Sequence, residues 1–185
     1  MERREGGVRL VVDAAGAAYP VVVDPLVWTE QAKLVAGDAV LGGRFGRAVA
    51  ISGDTALVGA PSDDHSGGVK GSAYVFVRSG TMWAEQAKLV ANDSAVNDGF
   101  GAEVSLSGDT ALVGAPFDDH ALGLDAGSAY VFVRSGTTWT QQAKLVASDA
   151  AIDDQFGFAV ALDGDTAVVG SYRDDDGGLD SGSAY

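Results

Sequence analysis

Cysteine is missing from the 185-residue sequence. That removes disulfides and thiolate metal sites from the possibilities and leaves the redox compartment open, since bacterial surface proteins also do without cysteine. Basic residues are scarce: 12 lysines and arginines face 26 aspartates and glutamates, a formal charge of −14. No basic run interrupts this field, so nucleic acid is excluded as a partner and cations are the favoured small ones. A long apolar run is missing too. The start, Met1 to Gly7, leads only into Val8–Val12 with Arg9 inside it, which is neither a signal peptide nor a membrane span. Membrane insertion by this segment is therefore not expected, and an export signal would have to lie upstream.

What is present suffices for a core. With 46% hydrophobic residues the chain can form one domain, and 26 glycines without the collagen period point to many tight turns. That combination predicts an all-β protein.

The chain repeats itself. Phe45-Gly46 with Gly59-Ala60-Pro61 recurs as Phe100-Gly101 with Gly114-Ala115-Pro116, and again as Phe156-Gly157 with Gly170, where Ser171 and Tyr172 replace the small residue and the proline. Trp28, Trp83 and Trp139 stand 55 and 56 residues apart, as do the three phenylalanines. Gly59 to Gly114 is still 55 whereas Gly71 to Gly127 is 56, which places the extra residue within 117–126 and marks that stretch as a surface loop.

Each unit reads as four strands. In the second they are Ala102–Leu106, Thr110–Val113, Ser128–Arg134 and Trp139–Val146, joined by a Gly108-Asp109 hairpin of type II′, a long acidic loop and a Ser135-Gly136-Thr137 turn. The second and third strands are apolar on both faces, as in a sheet sandwiched between two others, while Gln141 and Lys144 mark the fourth as an edge. Four antiparallel strands in about 55 residues describe a β-propeller blade, with a solenoid as the alternative. Ahead of the repeats, Val8–Asp13 and Tyr19–Asp24 read as a β-hairpin flank. The expected division is a flank over 1–27 and a propeller over 28–185. Within the latter, 28–44 is the outer strand and loop of a preceding blade, 45–99 and 100–155 are two blades, and 156–185 is an incomplete third. Gly114 and Ala115 are expected to allow crowding near an axis, Pro116 to end pairing, and Phe100 to pack between blades.

These motifs, with Gly71–Phe76, Gly127–Phe132 and the flank Tyr19–Pro25, resemble the FG-GAP repeat family, the blades of the integrin α-subunit propeller and of many bacterial surface proteins. The resemblance implies a partial propeller that needs further repeats to close its ring, because the last unit stops at Ser183-Ala184-Tyr185. It points to a fragment of a longer reading frame or a piece completed by other copies. It also implies an extracellular or cell-surface place. Integrin-type calcium sites do not carry over, since only Asp54, Asp109 or Asp165 stands in the hairpin where an ion wants about 6–8 oxygens.

Candidate chemistry lies in the loop after the second strand. Asp118, Asp119 and Asp125 in the second unit, and Asp174, Asp176 and Asp180 in the third, are candidate calcium ligands; the first unit offers Asp63 and Asp64. A second set of acids, Asp93 with Asn97-Asp98 and Asp149 with Asp153-Asp154, is expected to form turns, because the first unit has Leu41-Gly42-Gly43-Arg44 there. His65 and His120 share one repeat position, Asp176 replaces them in the third, and no serine elbow accompanies them, so no catalytic residue is assigned. The expected function is a non-enzymatic binding, adhesion or structural module. It would contact a protein or carbohydrate through Ser62–Lys70 and Phe117–Ala126. Two alternatives are an accessory propeller of a secreted hydrolase or lyase and a plain spacer.

Overall fold

A computed structural model describes residues 30–65 and 67–185, together with the backbone of four short strands among the first 29. The chain divides into two compact units, Met1–Lys33 and Leu34–Tyr185. In the first, β1 (Arg3–Arg4) pairs antiparallel with β2 (Gly7–Val8), and β3 (Leu10–Val12) with β4 (Val21–Val23). The β-branched runs of the flank thus pair as a hairpin. Its Ala14–Ala18 connection, the expected boundary at residue 27 and Trp28 lie outside the described residues.

The second unit is built of three antiparallel sheets, with no helix among the described residues. The first sheet runs in chain order through β5 (Val49–Ser52), β6 (Thr55–Ala60), β7 (Ser72–Ser79) and β8 (Met82–Leu89). β9 (Glu103–Ser107), β10 (Thr110–Ala115), β11 (Ser128–Ser135) and β12 (Thr138–Leu145) repeat that order. The third sheet holds β13 (Phe156–Asp163), β14 (Thr166–Ser171) and β15 (Ser183–Ala184). These are propeller blades, the third with three strands.

Local sequence explains the hairpins. Ser107 pairs with Thr110, leaving Gly108 and Asp109 as a two-residue loop, and Gly108 takes the positive φ of 56° that the turn needs at its first central position. The side chain of Arg134, on the third strand, donates through Nε to Asp109 at 2.6 Å, and Arg78 holds Asp54 the same way at 2.8 Å. These acids are exposed, so each pair contributes little, about 0–1 kcal/mol.

The core lies between sheets. β6 and β10 are buried on both faces, whereas β8 and β12 are half-buried or exposed along most of their length, as edges are. Leu57 and Val75 of the first sheet pack with Phe100, Val104 and Leu106 of the second, and Leu112 with Phe156 and Val169 across the next junction. Burying one such side chain contributes about 1.5–3 kcal/mol. A bulge reinforces the outer rim: pairing shifts between Val75 and Phe76, and the indole N–H of Trp139 in the next sheet donates to Gln86 at 3.0 Å.

The Phe-Gly and Gly-Ala-Pro motifs meet across these junctions, so the close backbone approach expected at Gly114 is made between successive repeats. Phe100 forms a parallel bridge with Gly71, its N–H reaching the Lys70 carbonyl at 3.2 Å, and Phe156 repeats this with Gly127. A Cβ on Gly59 would overlap the Gly101 carbonyl oxygen, and one on Gly114 would overlap that of Gly157. The glycine of one repeat therefore makes room for the backbone of the next. Gly101 also donates to the Gly114 carbonyl of its own repeat at 3.0 Å, so one motif ties three strands.

Gly114→Ala is therefore expected to destabilise at or beyond the upper end of the ~1–3 kcal/mol typical of overpacking, because the obstacle is backbone. Gly170→Ala, whose new methyl would meet Ala159 alone, its Cβ at 3.4 Å and its carbonyl oxygen at 3.8 Å, should change stability by less than about 1 kcal/mol. Urea unfolding of both variants checks this, and equal losses would contradict the clasp.

Candidate functional site

The acidic loops are held to the sheets from within. Asp63, Asp118 and Asp174, the first acids after β6, β10 and β14, are all buried. Asp118 accepts from Ser128 Oγ at 2.6 Å, Tyr130 OH at 3.2 Å and Lys144 Nζ at 2.7 Å. Asp63 accepts likewise from Ser72 Oγ at 2.7 Å and Lys88 Nζ at 2.7 Å. Each lysine reaches on to a second acid, Lys88 to Asp38 and Lys144 to Asp93, both at 2.6 Å. The tyrosines bind those same acids, Tyr74 to Asp38 at 2.7 Å and Tyr130 to Asp93 at 3.0 Å. In the third copy Asp149 and Asp174 share the Tyr185 hydroxyl, 2.7 Å from each.

Charge and burial act together here. Hydrogen bonds from Lys88 and Tyr74 hold the Asp38 carboxyl below its ordinary value. At Asp93 burial works the other way, but Lys144 and Tyr130 outweigh it and the carboxyl is again held low. Lys144 is raised although burial opposes it, through its bonds to Asp118 and Asp93. Tyr130 is raised by burial first and the two carboxylates second.

The remaining acids shape turns. Asp119 accepts from the Asp125 N–H at 2.8 Å, Asp174 from the Asp176 N–H at 2.9 Å, and Asp175 from the Asp180 N–H at 2.6 Å. Asp125 and Asp180 adopt positive φ angles of 48° and 50°. Of the candidate ligands, then, Asp118 and Asp174 are tied to hydroxyl or ammonium groups, and Asp119, Asp125, Asp176 and Asp180 lie in loop turns. Among the described residues no three acidic or histidine side chains stand as a metal-holding group. In the set before each Phe-Gly, Asp98 and Asp154 are buried and cap turns by accepting from Ala95 and Ala151 at 2.5 and 2.6 Å. Their partners Asp93 and Asp149 serve the lysine and tyrosine networks instead. His65 Nε2 lies 2.9 Å from the Gly71 carbonyl and His120 Nε2 3.1 Å from that of Gly127, while His120 Nδ1 accepts from Leu122. Both histidines fasten loops.

A different place has the shape of a site. A cleft of about 560 Å³ opens between the first two sheets, bordered by Pro61, Ser62 and Val69 on one side and Pro116, Phe117 and Asp125 on the other. All of these but Pro61 and Pro116 come from the two loops expected to meet a ligand. Arg44, Arg47, Asn97, Gly99, Ala102, Glu103 and Phe158 complete the lining. Arg47 faces Glu103 at 3.5 Å, and Phe117 and Phe158 keep their rings partly exposed. The Phe158 ring lies 4.2 Å from Tyr172, over which the Arg173 guanidinium sits at 5.6 Å.

Apart from the shared Pro61 and Pro116, several lining residues differ between repeats. Arg47, Ala102 and Phe158 occupy one repeat position; Arg44, Gly99 and Gln155 occupy another, with φ of 56°, 70° and 57°. A left-handed backbone suits glycine and costs an arginine about 1–2 kcal/mol, so placing Arg44 on the cleft carries a cost in stability. Reading the sequence through its shared positions passed over Arg44, Arg47 and Phe158. The signal for them was departure from the repeat.

A family model described as FG-GAP repeat matches residues 28–76, 83–132 and 139–185. The second window opens on β8 of the first sheet and ends on β11 of the second, so a sequence repeat straddles two sheets. No curated protein matches the chain.

Lys144→Met removes the cation shared by buried Asp118 and half-exposed Asp93. The expected cost stays below the ~3–5 kcal/mol of a fully buried pair, because Asp118 keeps Ser128 and Tyr130. The lowered Asp93 carboxyl stabilises the wild type above its unfolded value near 3.9, and this is lost as pH falls through the folded value. The deficit of the variant should thus be greatest near neutrality and narrow below about pH 4; pH-dependent melting curves read it directly. With Asp118 and Asp174 already engaged, excess calcium over chelator is expected to leave the melting temperature unchanged. A rise of several degrees would return the acidic loops to metal.

Proposed function

The chain belongs to the FG-GAP repeat family, and from that premise we propose that it is a non-catalytic binding module of a cell-surface or secreted protein whose cleft receives a glycan. Repeats of this family form propellers often used in binding or adhesion, and typically without catalysis. The observation that carries the reading is the cleft lining, which mixes donors (Arg44, Arg47, Asn97) and acceptors (Glu103, Asp125) with the open rings of Phe117 and Phe158. Sugars present hydroxyls to such groups and apolar C–H faces to aromatic rings. A neutral glycan is also indifferent to the −14 field that repels acidic ligands.

A glycan array followed by calorimetry tests this. Binding to a neutral oligosaccharide is expected, weakly dependent on salt, with Phe117→Ala lowering affinity about tenfold, or about 1.4 kcal/mol. Binding that survives both Phe117→Ala and Arg47→Ala would move the site elsewhere. Hits confined to proteins would overturn the glycan while keeping the binding module.

A further inference from the structure

The two ends of the strands differ in character. At one end lie the hairpin turns Gly53-Asp54, Gly108-Asp109 and Gly164-Asp165, with Gly80-Thr81 and Gly136-Thr137, and none of them carries a large apolar side chain. At the other end, the loops that leave Gly-Ala-Pro meet the loops that lead into the next Phe-Gly, and aliphatic side chains stand out from both. Leu122 and Leu124 are 52% and 64% exposed, Val96 and Ile152 55% and 64%. This exposure belongs to complete junctions inside the second unit. The Asn97 N–H donates to the Val69 carbonyl at 2.7 Å and the Asp153 N–H to the Leu124 carbonyl at 2.9 Å, so Val96 and Ile152 lie along the preceding loop and still face solvent. A Cβ on Gly68 would crowd Val96, and one on Gly123 would meet the backbone of Ala151 and Ile152. Leu41, Val96 and Ile152 hold one repeat position, and Leu124 and Leu179 another. Aliphatic side chains kept and grouped where they are not buried mark an interaction surface.

The patch is framed by carboxylates. His120 and Gly123 exchange backbone hydrogen bonds at 3.2 and 3.0 Å, which puts Ala121 and Leu122 at the tip of a tight turn. Beside it Asp119 accepts from the Asp125 N–H, and Asp153 follows Ile152 directly. Asp119 and Asp153 are exposed and Asp125 is half-buried. Burial first, and then the charges of Asp119 and Asp153, raise the Asp125 carboxyl above its ordinary value, with Arg173 opposing them. Three carboxylates that repel one another beside an aliphatic patch favour a cation brought by a ligand, and they repel anionic lipid. A metal ion alone would not answer both features, because it would leave the leucines in water.

We propose that Leu122, Leu124 and Ile152, framed by Asp119, Asp125 and Asp153, form a docking surface for a segment of another protein that presents lysine or arginine beside aliphatic side chains. The aliphatic groups supply burial, and the carboxylates set orientation and the rate of encounter. The surface shares Asp125 with the cleft but does not depend on a glycan being bound there.

Calorimetry at physiological salt with three synthetic peptides of equal length tests it, one of leucine and lysine, one of serine and lysine, and one of leucine and glutamate. The leucine–lysine peptide should bind at least about tenfold more tightly than either of the others. Leu124→Ser combined with Ile152→Ser should erase its advantage over the serine–lysine peptide, and Asp119→Asn combined with Asp153→Asn its advantage over the leucine–glutamate peptide. All four positions are exposed, so melting curves should match the wild type. Asp165→Asn, at the far end of the strands, removes a negative charge as well and should leave binding as it was. No glycan enters the titration, so its outcome is separate from that of the cleft. Equal affinity for the leucine–lysine and serine–lysine peptides would reduce the effect to net charge. Equal affinity for the leucine–glutamate peptide, or a loss at Asp165→Asn as large as at Asp119 and Asp153, would remove the carboxylate frame; each of these results would overturn the proposal.

Discussion

Everything in the repeat unit depends on one close approach, the backbone carbonyl of a Phe-Gly laid against the glycine of the preceding Gly-Ala-Pro. Any side chain at Gly59 or Gly114 would push the sheets apart and expose the apolar surface between them. Because the approach joins successive repeats, each blade is stable only through its neighbour, as in other repeat architectures. The phenylalanine adds direction. Phe100 stands edge-on to Tyr130 and Phe132, with centroids 5.5 and 5.9 Å apart, and Phe45 does the same with Tyr74 and Phe76. Its ring thereby fixes the angle at which the backbone enters the clasp.

That clasp also organises the charges. The loop leaving Gly-Ala-Pro must turn back at once, and the first acid after it falls beneath the sheet, next to the serine and tyrosine of the third strand. A carboxylate so buried is tolerable only with partners, which Lys88 and Lys144 supply from the fourth strand. Part of the acidity that looks like a cation lure is thus internal. The lysine spans two acids far apart in sequence and draws the loop before Phe-Gly onto the same strand.

How far the sequence could be read follows from this geometry. Strand positions, hairpins and the solvated edge of β12 were legible because turn chemistry and alternation are local: Gly108-Asp109 needs only its neighbours. The repeat was legible because one interaction is made again and again. The partner of Gly114 was not, since its contact is with Gly157 in the next copy, and nothing within one unit says which glycine serves which junction. The lysine partner of Asp118 was hidden for the same reason. The proximity of Asp118 to Lys144 is created by β11 and β12, and sequence shows only an acid in an acidic loop. His120 was easier to place, because its recurrence as His65 already suggested a framework role.

The cleft was the least legible part, and the reason bears on where function can reside in such a chain. Positions that build the clasp cannot vary without loss of the fold, so they carry no information about a ligand. Positions flanking it on the open side, such as those of Arg44 and Arg47, are free, and the repeats fill them with an arginine, a glycine, a glutamine, an alanine or a phenylalanine. At Arg44 the scaffold demands a left-handed backbone that glycine would satisfy without strain, yet a long cationic side chain stands there and faces the cleft. A local cost with no return in packing is the kind of departure that selection for stability alone would remove. The unshared residues around Phe117 are therefore where this propeller's ligand is to be sought.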